Sequence, residues 1–256
     1  MPLKTNLKSM APRRQVYKRE ITLLSHGFSN PTAWPDGRIT VYPWDNAIDQ
    51  WMIDNLRKTS KQELVFGLLG KCCDLNGGSV DDFVADEINT VLLVSRALST
   101  DGVVAYTSMC PFCGDKRPNT IRVPDALEKV GEKSKDYPGY DEITLPVVQD
   151  VVRLRPLLVK DEKIISGRTD EKRRLISDGE LRTAMRVVTI NGEAPSTLDE
   201  LILWCRAIHT TDIKCLEEKG REITPHLNTF IPHTCDEPEC GRHFKHPLTF
   251  DQEFFR

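Results

Sequence analysis

The sequence predicts a mixed α+β fold made of two similar tandem modules, each combining helices with a small antiparallel sheet and a cysteine hairpin. Two observations predict it. Strand-like and helix-like segments follow one another in the same order in both halves of the 256-residue chain. Each half also contains a closely spaced cysteine pair followed at once by glycine, Gly114 in one half and Gly241 in the other.

The repeat begins at two matching segments, Arg19–Leu23 and Asp141–Leu145, which share the sequence Glu-Ile-Thr-Leu. After each comes a short alternating segment that ends in proline, and then a helix-like stretch. Further on, Leu92–Leu98 aligns with Ile202–Ile208, two apolar segments with helical spacing. The same order of features in two halves of similar length predicts an internal duplication.

The predicted domains are a first module at residues 19–127, a linker at 128–140 and a second module at 141–256. The linker is rich in charged residues, glycine and proline, which is typical of an exposed connector. Residues 1–18 contain basic residues, two prolines and no acidic residue. This segment is predicted to be an extended basic arm, with a disordered tail as the alternative.

The two cysteine pairs are predicted to be metal ligands on hairpin tips. Cys110 and Cys113 form a C-x2-C pair, whereas Cys235 and Cys240 form a C-x4-C pair. The N-terminus lacks the apolar core of a secretory signal, so we expect a reducing compartment, where such pairs bind metal more often than they form disulfides. The remaining cysteines are predicted to be small buried residues: Cys72, Cys73, Cys205 and Cys215.

Three arrangements of the hairpins are consistent with the sequence. The two hairpins share one zinc ion through their four cysteines, or the second hairpin holds its own metal with help from His233 and His243. In the third arrangement the hairpins are turns without metal, or they bind metal only between chains. A zinc site closed by four sulfur or nitrogen ligands has no open position, so its role would be structural.

The sequence predicts no enzyme. It contains none of the zinc-protease, P-loop, dinucleotide-binding or nucleophile-elbow motifs. A redox dithiol is disfavoured because its C-x2-C motif opens a helix, whereas Cys110 lies between strand-like segments. The net charge of −3 gives no overall attraction to nucleic acid or to anionic membranes, and no apolar run is long enough to span a bilayer. The alternative function is a zinc-ribbon adaptor that binds nucleic acid or a transcription complex.

Several short motifs resemble the baseplate-hub proteins of contractile-tailed bacteriophages. They are Glu142–Pro146, Leu154–Ile165, the Leu-x-x-Arg-Ala helix ends at Leu93–Ala97 and Leu203–Ala207, and the C-P-x-C-G hairpin. The family has a similar opening, in which a strand and Arg-Pro precede a hydrophobic segment and K-E-E-K-I. The chain departs from this pattern in its first opening, which has Trp44–Ile48 in place of the charged residues, and in the spacing of its second cysteine pair.

The resemblance implies a structural or assembly protein of the phage tail baseplate or hub, made in the host cytoplasm and located in the virion tail. Its expected partners are other tail and baseplate proteins, including the tape measure, in a multi-subunit ring. Neither a membrane nor nucleic acid is an expected partner. A tandem duplication would let one chain occupy two quasi-equivalent positions in such a ring.

Overall fold

The structure, a computed structural model, describes residues 18–56, 58–99, 102–122, 139–225 and 230–247. These residues form eight helices and several small antiparallel sheets, which confirms the mixed α+β fold. Nearly all of the predicted basic arm and linker, and the last nine residues of the chain, lie outside the described residues. Among the helices that are described, none is long and apolar enough to cross a membrane.

The first half, residues 18–122, contains a three-stranded sheet, three helices and a hairpin. The antiparallel sheet has the order β1 (Arg19–Thr22), β2 (Arg38–Val41), β3 (Cys73–Asp74). The helices are α1 (Asn46–Asn55), α2 (Lys61–Cys72) and α3 (Ile88–Ser99), with 3-10 turns at Val80–Asp82 and Ala85–Glu87. The hairpin consists of β4 (Val103–Met109) and β5 (Lys116–Arg122). The Ser60 hydroxyl caps α2 by accepting from the Glu63 N–H, which fixes where the helix begins.

The second half, residues 139–247, has the same sheet order but more helices. Its antiparallel sheet runs β6 (Asp141–Thr144), β7 (Val151–Leu154), β8 (Val187–Ile190). The helices are α4 (Val159–Ser166), α5 (Asp170–Leu175), α6 (Asp178–Arg186), α7 (Leu198–Ala207) and α8 (Thr210–Glu222). The hairpin consists of β9 (Phe230–Thr234) and β10 (His243–Pro247). The described part of the second half has five helices, whereas that of the first half has three. The similarity of the two modules and their boundaries therefore stay predictions.

Each half has its own hydrophobic core between its sheet and its helices. The first core is centred on Trp34 and Phe83, which pack with ring centroids 4.8 Å apart. The second is centred on residues from β7, α6 and the last helix, including Leu154, Leu181 and Leu216. Val159, at the start of α4 in the second half, is fully buried in the core of the first half. The two halves therefore share buried packing.

An ion pair fixes the segment that makes this crossing. Arg155 donates from Nη1 to Asp161 Oδ2 at 2.6 Å and from Nη2 to Oδ1 at 3.0 Å. Asp161 also accepts from the Leu158 N–H at 2.8 Å, so one carboxylate holds both the arginine and the first turn of α4. These residues lie in the segment Leu154–Ile165, and in this fold they position Val159.

The cysteines outside the two pairs are structural. Cys72, Cys73 and Cys205 are buried, as the sequence predicted, but the prediction was wrong for Cys215, which is only half-buried. Burial raises the pKa of Cys73 to about 12 and that of Cys205 to about 11. The thiols of Cys73 and Cys205 therefore remain protonated and behave as small apolar side chains.

Glu87 is a buried carboxyl group, 1% exposed, that ties the start of α3 to the chain after β1. Its Oε1 accepts from the Ser25 N–H at 2.5 Å and its Oε2 accepts from the Ser25 hydroxyl at 3.0 Å. Burial raises the pKa of Glu87 to about 7 against the lowering effect of these hydrogen bonds.

We expect Glu87→Gln to stabilise the protein above about pH 7. In the unfolded chain the carboxyl ionises near its ordinary pKa of 4.5, whereas in the folded chain it stays protonated up to about 7. The raised pKa of Glu87 therefore lowers the free energy of unfolding of the wild-type protein as the pH rises. This loss is absent below about pH 4.5 and reaches about 3 kcal/mol above about pH 7. Glutamine can still accept from the Ser25 N–H through Oε1 and can donate from Nε2 to the Ser25 hydroxyl, and it does not ionise. Urea unfolding of the wild type and the variant near pH 5 and near pH 8 measures the effect. The same difference in free energy of unfolding between the two proteins at both pH values would contradict it.

Candidate metal centre

The two hairpins bring their four cysteines together. The Sγ atoms of Cys110, Cys113, Cys235 and Cys240 all lie within 4.8 Å of one another. Cys110 Sγ is 3.8 Å from Cys240 Sγ, and Cys113 Sγ is 3.6 Å from Cys235 Sγ. The first cysteine of each hairpin thus contacts the second cysteine of the other. The residues come from opposite halves of the chain, so the cluster joins the two halves.

The tip of the first hairpin is a tight turn that places both sulfurs on one side. The ladder of β4 and β5 ends at the pair Met109 and Lys116. Beyond it, the Cys110 N–H donates to the Asp115 carbonyl at 2.9 Å, and the Gly114 N–H donates to the Cys110 carbonyl at 2.9 Å. Gly114 has a φ of +78°, a left-handed conformation that glycine adopts without strain.

The second hairpin closes in the same way despite its longer loop. The Cys235 N–H donates to the Arg242 carbonyl at 2.9 Å. Arg242, like Asp115, lies two residues after the second cysteine of its hairpin. The Cys240 N–H and the Gly241 N–H both donate to the Glu237 carbonyl, at 2.9 and 3.0 Å. The two additional residues are therefore accommodated inside the loop, and both sulfurs still reach the cluster.

Backbone N–H groups favour the thiolate form of the first cysteine. Desolvation raises the pKa of Cys110, but hydrogen bonds from the N–H groups of Cys113 and Phe112 and from neighbouring thiols lower it to about 7. A hydrogen bond from the Glu237 N–H likewise lowers the pKa of Cys235. Desolvation and the other three thiols outweigh it and raise the pKa of Cys235 to about 12. Several adjacent sulfurs do not all ionise without a cation between them.

The geometry of the sulfurs fits a tetrahedral metal ion. With zinc–sulfur bonds of about 2.3 Å, the sulfurs of a tetrahedron lie about 3.8 Å apart. The contacts of 3.6 and 3.8 Å between the hairpins match that spacing. Four sulfur donors suit Zn²⁺ or iron and are unsuitable for Mg²⁺ or Ca²⁺. The four cysteines can therefore hold one metal ion in a closed site.

The two histidines that the sequence offered as further ligands have other contacts. His233 Nε2 lies 2.8 Å from the Tyr106 hydroxyl, and His243 Nδ1 lies 2.9 Å from the Thr234 hydroxyl. Burial, assisted by the nearby His246, lowers the pKa of His233. The ring of Tyr106 lies 5.7 Å from that of His233, so this tyrosine joins the hairpins beside the sulfurs. Sequence reasoning missed Tyr106, because no local pattern marks a contact with a distant strand.

Arg117 joins the hairpins on the polar side of the cluster. Its Nε contacts Asp115 at 2.5 Å within its own hairpin. Its Nη1 reaches Asp236 at 2.9 Å and its Nη2 reaches Glu237 at 3.6 Å, both in the second hairpin. The sequence analysis missed this contact as well, although the acidic residues of the C-x4-C loop are the signal that could have indicated it.

The hairpins have almost no hydrophobic core of their own. Among their described side chains only Ser108, Cys110 and Cys235 are buried. Neither hairpin contributes a buried residue to the two cores of the described chain. Small units that bury so little apolar surface usually depend on a metal or a disulfide for stability. The sulfur cluster is thus the centre of the paired hairpins.

Comparisons with protein-family models, with curated proteins and with solved structures found no match for this chain.

Proposed function

We propose that this protein is a non-catalytic structural or assembly component of a phage tail baseplate or hub, in which a zinc ion fastens the two halves together. The observation that carries the proposal is the cluster of four sulfurs, two from each half. A metal in this cluster would be closed to substrates and would act as a crosslink between distant parts of the chain.

Zinc is the metal that best suits this role. It takes four thiolate ligands in a tetrahedron and has no redox chemistry of its own. Because ligands are brought together only in the folded chain, the free energy of metal binding contributes to folding. The zinc would stabilise the hairpins, which bury few side chains of their own.

The baseplate assignment rests on the motifs that resemble the baseplate-hub family, and the contacts of those residues support a structural role. Arg155 and Asp161 bind each other and fix the first turn of α4. That turn places Val159 in the core of the other half. The family-like residues are therefore occupied in holding the fold together, as expected for an assembly protein.

A zinc-ribbon adaptor for nucleic acid is less well supported. A reader of the phosphate backbone needs basic side chains free to contact phosphate. Arg117, a basic residue of the first hairpin, instead contacts carboxylates of Asp115, Asp236 and Glu237. The proposed partners are therefore other tail and baseplate proteins, including the tape measure, arranged in a multi-subunit ring in the virion tail.

The test is complementation in a phage that encodes this chain. Without the protein, we expect tails to be missing or baseplates to be incomplete by electron microscopy. The wild-type protein and Cys215→Ser should restore tailed particles, whereas Cys110→Ser should not. Mass spectrometry of tail intermediates should find the chain with baseplate proteins. Normal particles in its absence would overturn the proposal, and salt-sensitive retention on nucleic acid would favour the adaptor.

A further inference from the structure

The sulfur cluster contains two close contacts that cross from one hairpin to the other. Cys113 Sγ lies 3.6 Å from Cys235 Sγ, and Cys110 Sγ lies 3.8 Å from Cys240 Sγ. A disulfide bond is about 2.05 Å long, so each pair has to shorten by less than about 2 Å to form one. The cluster that can hold a metal is therefore also arranged for two covalent bonds between the hairpins.

Each of these contacts joins an accessible cysteine to a buried one. Cys113 is exposed and its neighbour Cys235 is buried, whereas Cys240 is half-buried and its neighbour Cys110 is buried. Oxidation of cysteine follows its accessibility, and the sulfenic acid that forms condenses with an adjacent thiol. In both contacts the accessible sulfur can meet an oxidant from solvent, and the buried sulfur is in position to attack it.

Contacts without sulfur hold the hairpins in this register. The Tyr106 hydroxyl of the first hairpin lies 2.8 Å from His233 Nε2 of the second. Arg117 Nη1 lies 2.9 Å from a carboxylate oxygen of Asp236, again between the two hairpins. Neither contact involves the sulfurs themselves, so both keep the two sulfur pairs opposite each other while the sulfurs react.

We propose that the zinc site is a redox-convertible clasp, in which oxidation by a peroxide replaces the metal with the disulfides Cys113–Cys235 and Cys110–Cys240. We call these two bonds the crossing disulfides. The inference rests on the proposed function, because it adds regulation to the same site. A metal held by thiolates suits folding in the reducing cytosol of the host, whereas disulfides suit the oxidising surroundings of a released virion. The two halves stay joined in both settings.

The conversion balances with a peroxide as the oxidant. The Cys113 thiolate attacks one oxygen of hydrogen peroxide, the O–O bond breaks, and a sulfenic acid and a hydroxide form. The Cys235 thiolate then attacks the sulfenic sulfur, which forms the S–S bond and releases a second hydroxide. Both sulfurs are oxidised and both peroxide oxygens are reduced. Cys240 and Cys110 react in the same way with a second peroxide molecule, and no thiolate is left to bind a metal.

The first crossing disulfide keeps the second pair of sulfurs together. It joins residues that lie 122 positions apart, so the hairpins remain connected when the metal leaves. A bond between Cys110 and Cys113 would instead join residues that the turn already holds, and the crosslink between the halves would be lost. Closing a long loop also restricts the unfolded chain more than closing a short one, so the crossing disulfides stabilise the fold.

The test treats the full zinc-loaded chain with increasing amounts of hydrogen peroxide. A chromogenic chelator measures the zinc released, and mass spectrometry maps the disulfides after free thiols are blocked. Chymotrypsin cleaves after Phe112 and Glu-C after Glu239, which separates the two cysteines of each hairpin. We expect about two peroxide molecules to be consumed for each zinc released, and both crossing disulfides to form. Cys215→Ser, a half-buried thiol outside the cluster, is the matched control and should give the same map.

Hydrogen exchange in the presence of a strong chelator shows whether the clasp survives oxidation. Residues 102–122 and 230–247 should stay protected in the oxidised chain and should exchange at least about tenfold faster in the reduced chain. Disulfides in any other pairing, or zinc release without disulfides, would overturn the proposal and leave a zinc-bearing assembly protein standing. Crossing disulfides without protection of the hairpins would overturn it as well. Normal phage particles made without the protein would instead reject the proposed function, on which the disulfide map does not depend.

Discussion

Replacing Cys235 with serine is expected to abolish metal binding and to separate the two hairpins. The four sulfurs are the centre of the hairpin pair, whose other described side chains are almost all exposed or half-buried. Structural zinc contributes an apparent binding free energy of about 10–16 kcal/mol in zinc-finger peptides, so losing one ligand removes the main source of stability. We expect a large effect confined to residues 102–122 and 230–247.

Hydrogen exchange followed by mass spectrometry measures this effect. Amides of both hairpins should exchange much faster in Cys235→Ser, including those of the first hairpin, which carries no substitution. Amides in the two cores should keep most of their protection, because the hairpins contribute no buried residue to them. Cys215→Ser, a half-buried thiol outside the cluster, is the control. Unchanged protection in both hairpins would show that the sulfurs do not hold them.

The second large effect is expected for Asp161→Ala. The substitution leaves Arg155 without its carboxylate and the Leu158 N–H without its acceptor. Breaking a buried pair from one side costs about 3–5 kcal/mol, and because the Arg155 side chain is 20% exposed we expect a loss near the lower end, about 3 kcal/mol. Since the same turn places Val159 in the core of the other half, we expect both halves to lose stability.

Hydrogen exchange in increasing urea, followed by mass spectrometry of peptides from residues 18–99 and from residues 139–225, measures the stability of the two halves separately and checks this prediction. Asp170→Asn is the matched control, because its side chain is 94% exposed and its ion pair with Arg173 spans 3.9 Å. The control should change stability by less than about 0.5 kcal/mol. A destabilisation limited to the second half would show that α4 is not a shared element.

The sequence predicted the parts of the fold that depend on local signals. The glycine after each cysteine pair and the strands on either side of each pair follow from short patterns. Burial of Cys72 and Cys205 was also predictable from residue type.

Contacts between distant segments could not be predicted in the same way. Nothing near Cys235 indicates that its partner is Cys113 rather than a histidine two residues away. The hydrogen bonds by which the Ser25 N–H binds Glu87 and the Val147 N–H binds Asp212 also join segments that lie more than 60 residues apart in the sequence. A single sequence reports local propensity, and these features depend on tertiary packing.

The most direct test of the shared metal site is native mass spectrometry of the purified chain beside Cys110→Ser and Cys235→Ser. The account predicts one zinc ion per wild-type chain and none in either variant, because each hairpin supplies half of one site. Zinc absent from the wild type, or retained in either variant, would contradict a site shared between the two halves.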